Sequence, residues 1–150
     1  MRDNLNYSKN DFFSPRREER QEKIIMTENE IAKIIVNLFL KVHRNLGPGL
    51  FESVYEEVVC YELIKLGLRY KRQQGVVVIY EDVKMDLGFR TDIIVEDKVI
   101  IEIKSVETLA PVHHKQLLTY LKLTDLKLGL LVNFNVDLIK NGVVRIVNNL

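Results

Sequence analysis

The stretch Arg90–Lys104, RTDIIVEDKVIIEIK, constrains this chain most. It reads as two strands, Leu87–Val95 and Val99–Lys104, joined by a tight turn at Glu96-Asp97-Lys98. Side chains alternate along a strand, so Val99, Ile101 and Ile103 point one way and Ile100, Glu102 and Lys104 the other. Two charges therefore emerge on one face of a strand otherwise built from Val and Ile. Asp92 heads the apolar run of the neighbouring strand, and a hairpin of this length brings it near Glu102. Two carboxylates at close range repel, and one is pushed towards neutrality. A divalent cation removes the conflict, and Mg²⁺ favours a few carboxylate oxygens completed by water and phosphate. A lysine beside such a site can orient water or stabilise charge on a phosphate, the basis of a metal-dependent phosphodiesterase. The plainer alternative is a Glu102–Lys104 salt bridge on a sheet face. The chain contains a second Glu-x-Lys triplet, Glu96-Asp97-Lys98, in the turn, so the triplet alone does not decide between them.

Length and charge narrow the classes. The 150 residues suit one domain with a modest tail, and 47% hydrophobic composition supplies a core. No apolar run is long enough to span a membrane, and the polar N-terminus is unlike a signal peptide. The single cysteine, Cys60, cannot form an internal disulfide and reads as a small buried residue, which fits a cytoplasmic setting. Residues 1–25 hold six of the 22 basic and five of the 21 acidic residues, leaving 16 of each in the remainder. That formally neutral remainder lacks the basic footprint of a strong non-specific nucleic-acid binder. Its one basic cluster, Arg69-Tyr70-Lys71-Arg72, reads more simply as a charged strand start.

Residues 1–25 lack a sustained period and carry mixed charge, the pattern of a flexible tail, so the single domain is expected over 26–150. Thr27-x-x-Glu30 is a capping box, opening a helix with an apolar stripe at Ile31, Ile35, Leu38 and Val42. Gly47-Pro48-Gly49 stops it. A second helix is expected from Phe51 to Leu66, with Glu52 in its first turn, where a carboxylate complements the helix dipole. The β-branched run Val76–Ile79 predicts a buried strand. Pro111 starts a third helix, on which Gln116 and Tyr120 share a face. His113 and His114 are adjacent and point about 100° apart, so they do not form a zinc pair. Leu126–Phe134 reads as a central strand and Gly142–Val147 as an edge strand.

The order α, α, β, β, β, α, β, β, with these charges on these elements, resembles the PD-(D/E)xK nuclease superfamily. It looks closest to the small bacterial family named for its GxxExxY motif, which Gly49-Leu50-Phe51-Glu52-Ser53-Val54-Tyr55 matches fully. HRNLGPGLFESVY, Gln73-Gln74 before a Val-rich strand, IIEIKS, QLLTYL and GLLVNF also fit, so the resemblance covers about residues 30–147. It implies an α/β (α+β) restriction-endonuclease-like core, a mixed central sheet flanked by helices. It implies catalytic roles for Glu52, Asp92, Glu102 and Lys104. Asp92, Glu102 and the backbone carbonyl of Ile103 would hold Mg²⁺, or Mn²⁺ in its place, with Glu52 supplementing them. Lys104 would assist the attacking water, and Gln116 and Tyr120 would position substrate or brace the site. Thr91 stands where the superfamily often has proline. The implied activity is phosphodiester hydrolysis of nucleic acid, with DNA as the expected substrate and no membrane partner. The alternative is a non-catalytic nucleic-acid- or protein-interaction module on the same fold, which the neutral charge favours. A homodimer would improve the grip of so small a domain, although no stretch demands one.

Overall fold

The first helix begins on the expected capping box: Thr27 Oγ1 accepts the Glu30 N–H at 3.2 Å, and Glu30 Oε2 accepts the Thr27 N–H at 2.8 Å. The computed structural model describes residues 24–150, without the side-chain surroundings of residues 87 and 88. In chain order the elements are α1 (Glu28–Leu46), α2 (Glu52–Lys65), β1 (Tyr70–Tyr80), β2 (Val83–Val95), β3 (Val99–Lys104), α3 (Pro111–Thr124), β4 (Leu128–Asn133), a short 3-10 turn (Ile139–Asn141) and β5 (Val143–Val147). The expected order of helices and strands is the observed one. Most of the tail expected over residues 1–25 lies outside the described residues; Ile24 and Ile25 are exposed.

The five strands form one mixed sheet in the order β1-β2-β3-β4-β5. β3 and β4 are parallel, with α3 as the crossover that a parallel pair requires, and the other neighbours are antiparallel. Helices cover both faces. Val99, Ile101 and Ile103 pack with Ile31, Ile35, Phe39, Val59 and Leu63 of α1 and α2. Ile100 packs with Leu117, Tyr120 and Leu121 of α3. The alternation read from the sequence thus holds, and both faces of β3 are buried. Gly129 on β4 is required by close packing: a Cβ there would meet the Leu117 side chain at 2.9 Å.

Some expectations are corrected. The run Val76–Ile79 is not a buried strand. β1 is a sheet edge, and of this run Val76 is 2% exposed while Ile79 is 68% exposed. β2 starts at Val83, four residues before the expected Leu87, and pairs with β3 only at Ile93, Ile94 and Val95. Its earlier half pairs with β1 alone, as a two-stranded arm turning at Glu81 and Asp82. Val54 and Leu66, apolar residues at the two ends of the second helix, are likewise exposed.

Candidate active site

The β2–β3 ladder runs Val95↔Val99, Ile94↔Ile100, Ile93↔Ile101 and then opens. Buried backbone N–H groups need partners, and in the opening carboxylates supply them. The Asp92 N–H donates to Glu102 Oε1 at 3.0 Å, and the Ile103 N–H donates to Asp92 Oδ2 at 2.7 Å. Each carboxylate therefore caps the backbone of the other's strand, which fixes both side chains where the strands part. The sequence expectation that Asp92 and Glu102 approach one another is met by this interlock.

Glu102 is 6% exposed. Burial, then the neighbouring Asp92 charge, pushes its carboxyl up to about 8. Asp92 is also raised, first by burial and then by the charges of Glu56 and Glu52, against the opposing Ile103 N–H. The ammonium of Lys104 favours the charged form of both, yet among the described residues it forms no ion pair within 4.0 Å. The surface salt bridge between Glu102 and Lys104 is therefore not what the strand builds. Two carboxylates that cannot both ionise readily, with the Lys104 charge acting on both, form a site short of positive charge.

The donor chemistry fits a hard divalent cation. Asp92 and Glu102 offer carboxylate oxygens, and the Ile103 carbonyl shares the β2-facing edge of β3 with its N–H, beyond the last β2–β3 pair. Among the described residues no group of three or more His, Cys, Asp or Glu side chains converges on a metal position. Asp92 and Glu102 would therefore be the side chains offered to a cation, with water or phosphate oxygens to complete its shell.

Glu52 opens α2 and accepts the Ser105 N–H at 3.2 Å, one residue beyond Lys104, while Ser105 Oγ donates to the Leu50 carbonyl at 2.6 Å. The GxxExxY stretch thereby ties the exit of β3 to the start of α2. Its tyrosine, Tyr55, is fully buried, donates to the Gly47 carbonyl at 2.6 Å, accepts from the Leu50 N–H at 3.2 Å and stacks on Phe134 at 4.4 Å. On α3, Gln116 Nε2 donates to the Tyr120 hydroxyl at 2.9 Å, and Glu102 and Asp92 are near enough to raise the Tyr120 pKa beyond the effect of burial. His113 Nδ1 accepts the Ala110 N–H at 3.0 Å and closes the helix start. The basic cluster is neutralised internally: Arg69 pairs with Glu96, Lys71 with Asp97, and Arg72 with Glu56 and Glu57.

Two neighbours of the site, Glu56 and Gln73, were given no site role by the sequence. Glu56 is buried and accepts from Arg72 Nε and Gln73 Nε2, each at 2.9 Å. The same Gln73 nitrogen stands 3.5 Å from Asp92 Oδ1. Glu56 follows Glu52 by one helical turn, a signal that two carboxylates of α2 share a face. The Gln73-Gln74 pair resembled the family phrase, but nothing local showed where it pointed.

A model of the PD-(D/E)XK nuclease superfamily matches residues 29–146. The chain belongs to that superfamily. The match runs from the first turn of α1 into β5, so it spans every residue placed around the carboxylate pair. PD-(D/E)XK nucleases use divalent metal ions and act on nucleic acid. The mixed sheet between α1–α2 and α3 is the fold of this superfamily. Neither the search of curated proteins nor that of solved structures returned a match. Among the described residues no helix is long and apolar enough to cross a membrane.

Proposed function

We propose that this chain is a divalent-metal-dependent nuclease of the GxxExxY branch, hydrolysing phosphodiester bonds in DNA. The observation that carries this reading is the interlocked pair of half-buried Asp92 and buried Glu102 where β2 leaves β3, with Lys104 alongside. Asp92, Glu102 and the Ile103 carbonyl would hold Mg²⁺ or Mn²⁺. When bound, the cation supplies Lewis acidity and charge neutralisation at the phosphoryl group.

The chain's own residues do the rest. The interlock uses Asp92 Oδ2 and Glu102 Oε1; Asp92 Oδ1, with the Gln73 amide 3.5 Å away, and Glu102 Oε2 would be the ligating oxygens. Lys104 donates to the attacking water or to a phosphate oxygen and stabilises negative charge as it builds there. Glu52 fixes the backbone at Ser105 and adds negative charge beside Asp92. Gln116 and Tyr120, bonded to one another, brace the α3 side of the site and orient substrate.

Calorimetric titration of Mg²⁺ and Mn²⁺ into the parent and into Asp92→Ala tests the site. Binding in the parent that disappears in the variant is the expected result, followed by metal-dependent cleavage of single- or double-stranded DNA. Lys104→Ala keeps metal affinity and loses turnover by about 10²–10³-fold. Cleavage by Lys104→Ala at the parent rate would remove Lys104 from the mechanism. The equal numbers of acidic and basic residues beyond residue 25 favour a second reading, a non-catalytic interaction module. That reading predicts no metal-dependent cleavage and unchanged partner binding in Glu102→Ala.

A further inference from the structure

Gln73 has a left-handed backbone, φ 52°, in the middle of β1. That region is costly for a residue with a Cβ, and glutamine lacks the short polar side chain that lets Asn and Asp tolerate it. The ladder pairs on either side are Arg72↔Ile93 and Gln74↔Thr91, so Gln73 stands opposite Asp92. The Gln73 carbonyl accepts from Arg90 Nη1 at 3.2 Å. Its side-chain amide donates to Glu56 Oε1 at 2.9 Å and reaches towards Asp92 Oδ1 at 3.5 Å. Strained conformations persist where surrounding contacts over-determine them, and they cluster at functional sites.

The chemistry of this position is specific. Asp92 is held at Oδ2 by the Ile103 N–H, so a donor at Oδ1 addresses its other oxygen. A lysine or arginine here would also reach Asp92, but its charge would pair with the carboxylate and compete with a divalent cation. A neutral amide orients the carboxylate and leaves its charge available. Partners of this kind tune the affinity of the ligands they touch.

We propose that Gln73 is a positioning residue for the metal site, its left-handed backbone retained because it aims the side-chain amide between Glu56 and Asp92. The proposal rests on Asp92 being a metal ligand.

Two substitutions separate backbone from side chain. Gln73→Gly and Gln73→Ala both remove the amide, and only glycine relieves the left-handed backbone. Mn²⁺ titrations and thermal melts are run on the parent, both variants and Gln73→Lys. Both truncations should weaken Mn²⁺ binding about 10- to 100-fold, although Gln73→Gly melts above Gln73→Ala. Gln73→Lys should bind more weakly still. Gln73→Gly binding within twofold of the parent overturns the proposal, as does affinity that tracks the melting temperature across the series. A parent that binds no Mn²⁺ overturns the metal site itself, and the role of Gln73 with it; that result is distinct from a parent that binds while Gln73→Gly binds equally well.

Discussion

Along β1, the segment Tyr70–Gln74 is polar and the segment Val76–Tyr80 is apolar. The polar segment carries the network that reaches Glu56 and Asp92, while most of the apolar segment stands in solvent. Its partner β2 divides at the same level. Ile93 and Val95, where β2 lies between β1 and β3, are fully buried, as is Thr91 just past the last β3 pair, whereas Val83 and Phe89 are exposed. The two halves differ in what lies beside them. One half has β3 as a neighbour and helices above and below; the other projects past the end of β3. Apolar character selects which residues could fill a core, but topology decides which of them meet one. The site lies at the boundary, where β2 still belongs to the sheet and has already left β3.

The largest expected effect tests the buried half. Ile93→Ala removes a fully buried side chain and should cost about 2–5 kcal/mol in denaturant unfolding. Equal stability in the variant would mean that this half is no more packed than the arm.

The boundary responds to pH. Glu102 has an ordinary carboxyl value of 4.5 in the unfolded chain and is raised to about 8 in the folded one. The folded state therefore holds its proton more tightly. The stability this provides is complete below pH 4.5 and is lost as pH rises towards 8. The metal-free protein should lose stability on the order of a few kcal/mol across that window, since one unit corresponds to about 1.4 kcal/mol. Glu102→Gln should flatten the decline, and saturating Mg²⁺ should oppose it by favouring the carboxylate. Melts from pH 5 to pH 8 that rise in the metal-free parent would contradict the raised carboxyl of Glu102.

Smaller effects belong to the arm. Replacing residues 77–86 by a two-residue turn should leave Mn²⁺ affinity within twofold and change stability by about 1 kcal/mol or less. A collapse of the fold would show that the arm is part of the core. Ile79→Ala should shift stability by less than about 0.5 kcal/mol, the smallest change of the series; a loss comparable to that of Ile93→Ala would erase the distinction between the two halves.

Much of the site was legible in residues 90–104. A Glu and a Lys at alternate positions of a Val/Ile strand, with an Asp across a short hairpin, place charge where a sheet buries side chains. Asp92 and Glu102 meet for that reason. Gln73 was not legible in the same way. Extending the register of the arm from Tyr80↔Val83 would set Asp92 opposite Lys71, but the pairing shifts by two between Gly75 and Val77 and sets it opposite Gln73. A β-bulge and a left-handed glutamine leave little local trace, so counting residues from the turn leads to the wrong partner. Glu56 was hidden for a related reason: on a helix of mixed character, a glutamate signals burial only once Arg72 and Gln73 are known to lie against it.

The sequence by itself determined the order of the elements, the caps and stops of the helices, the turn at Glu96-Asp97-Lys98 and the charges on β3. These follow from local physics: backbone preference, the side-chain period of strand and helix, and hydrogen bonds between near neighbours. Tertiary structure alone decided that Val77 and Ile79 stay exposed, that β2 parts from β3 at Asp92, and that Gln73 reaches between two carboxylates. Those outcomes depend on which surfaces remain after distant segments have packed, and no window of the chain contains that information.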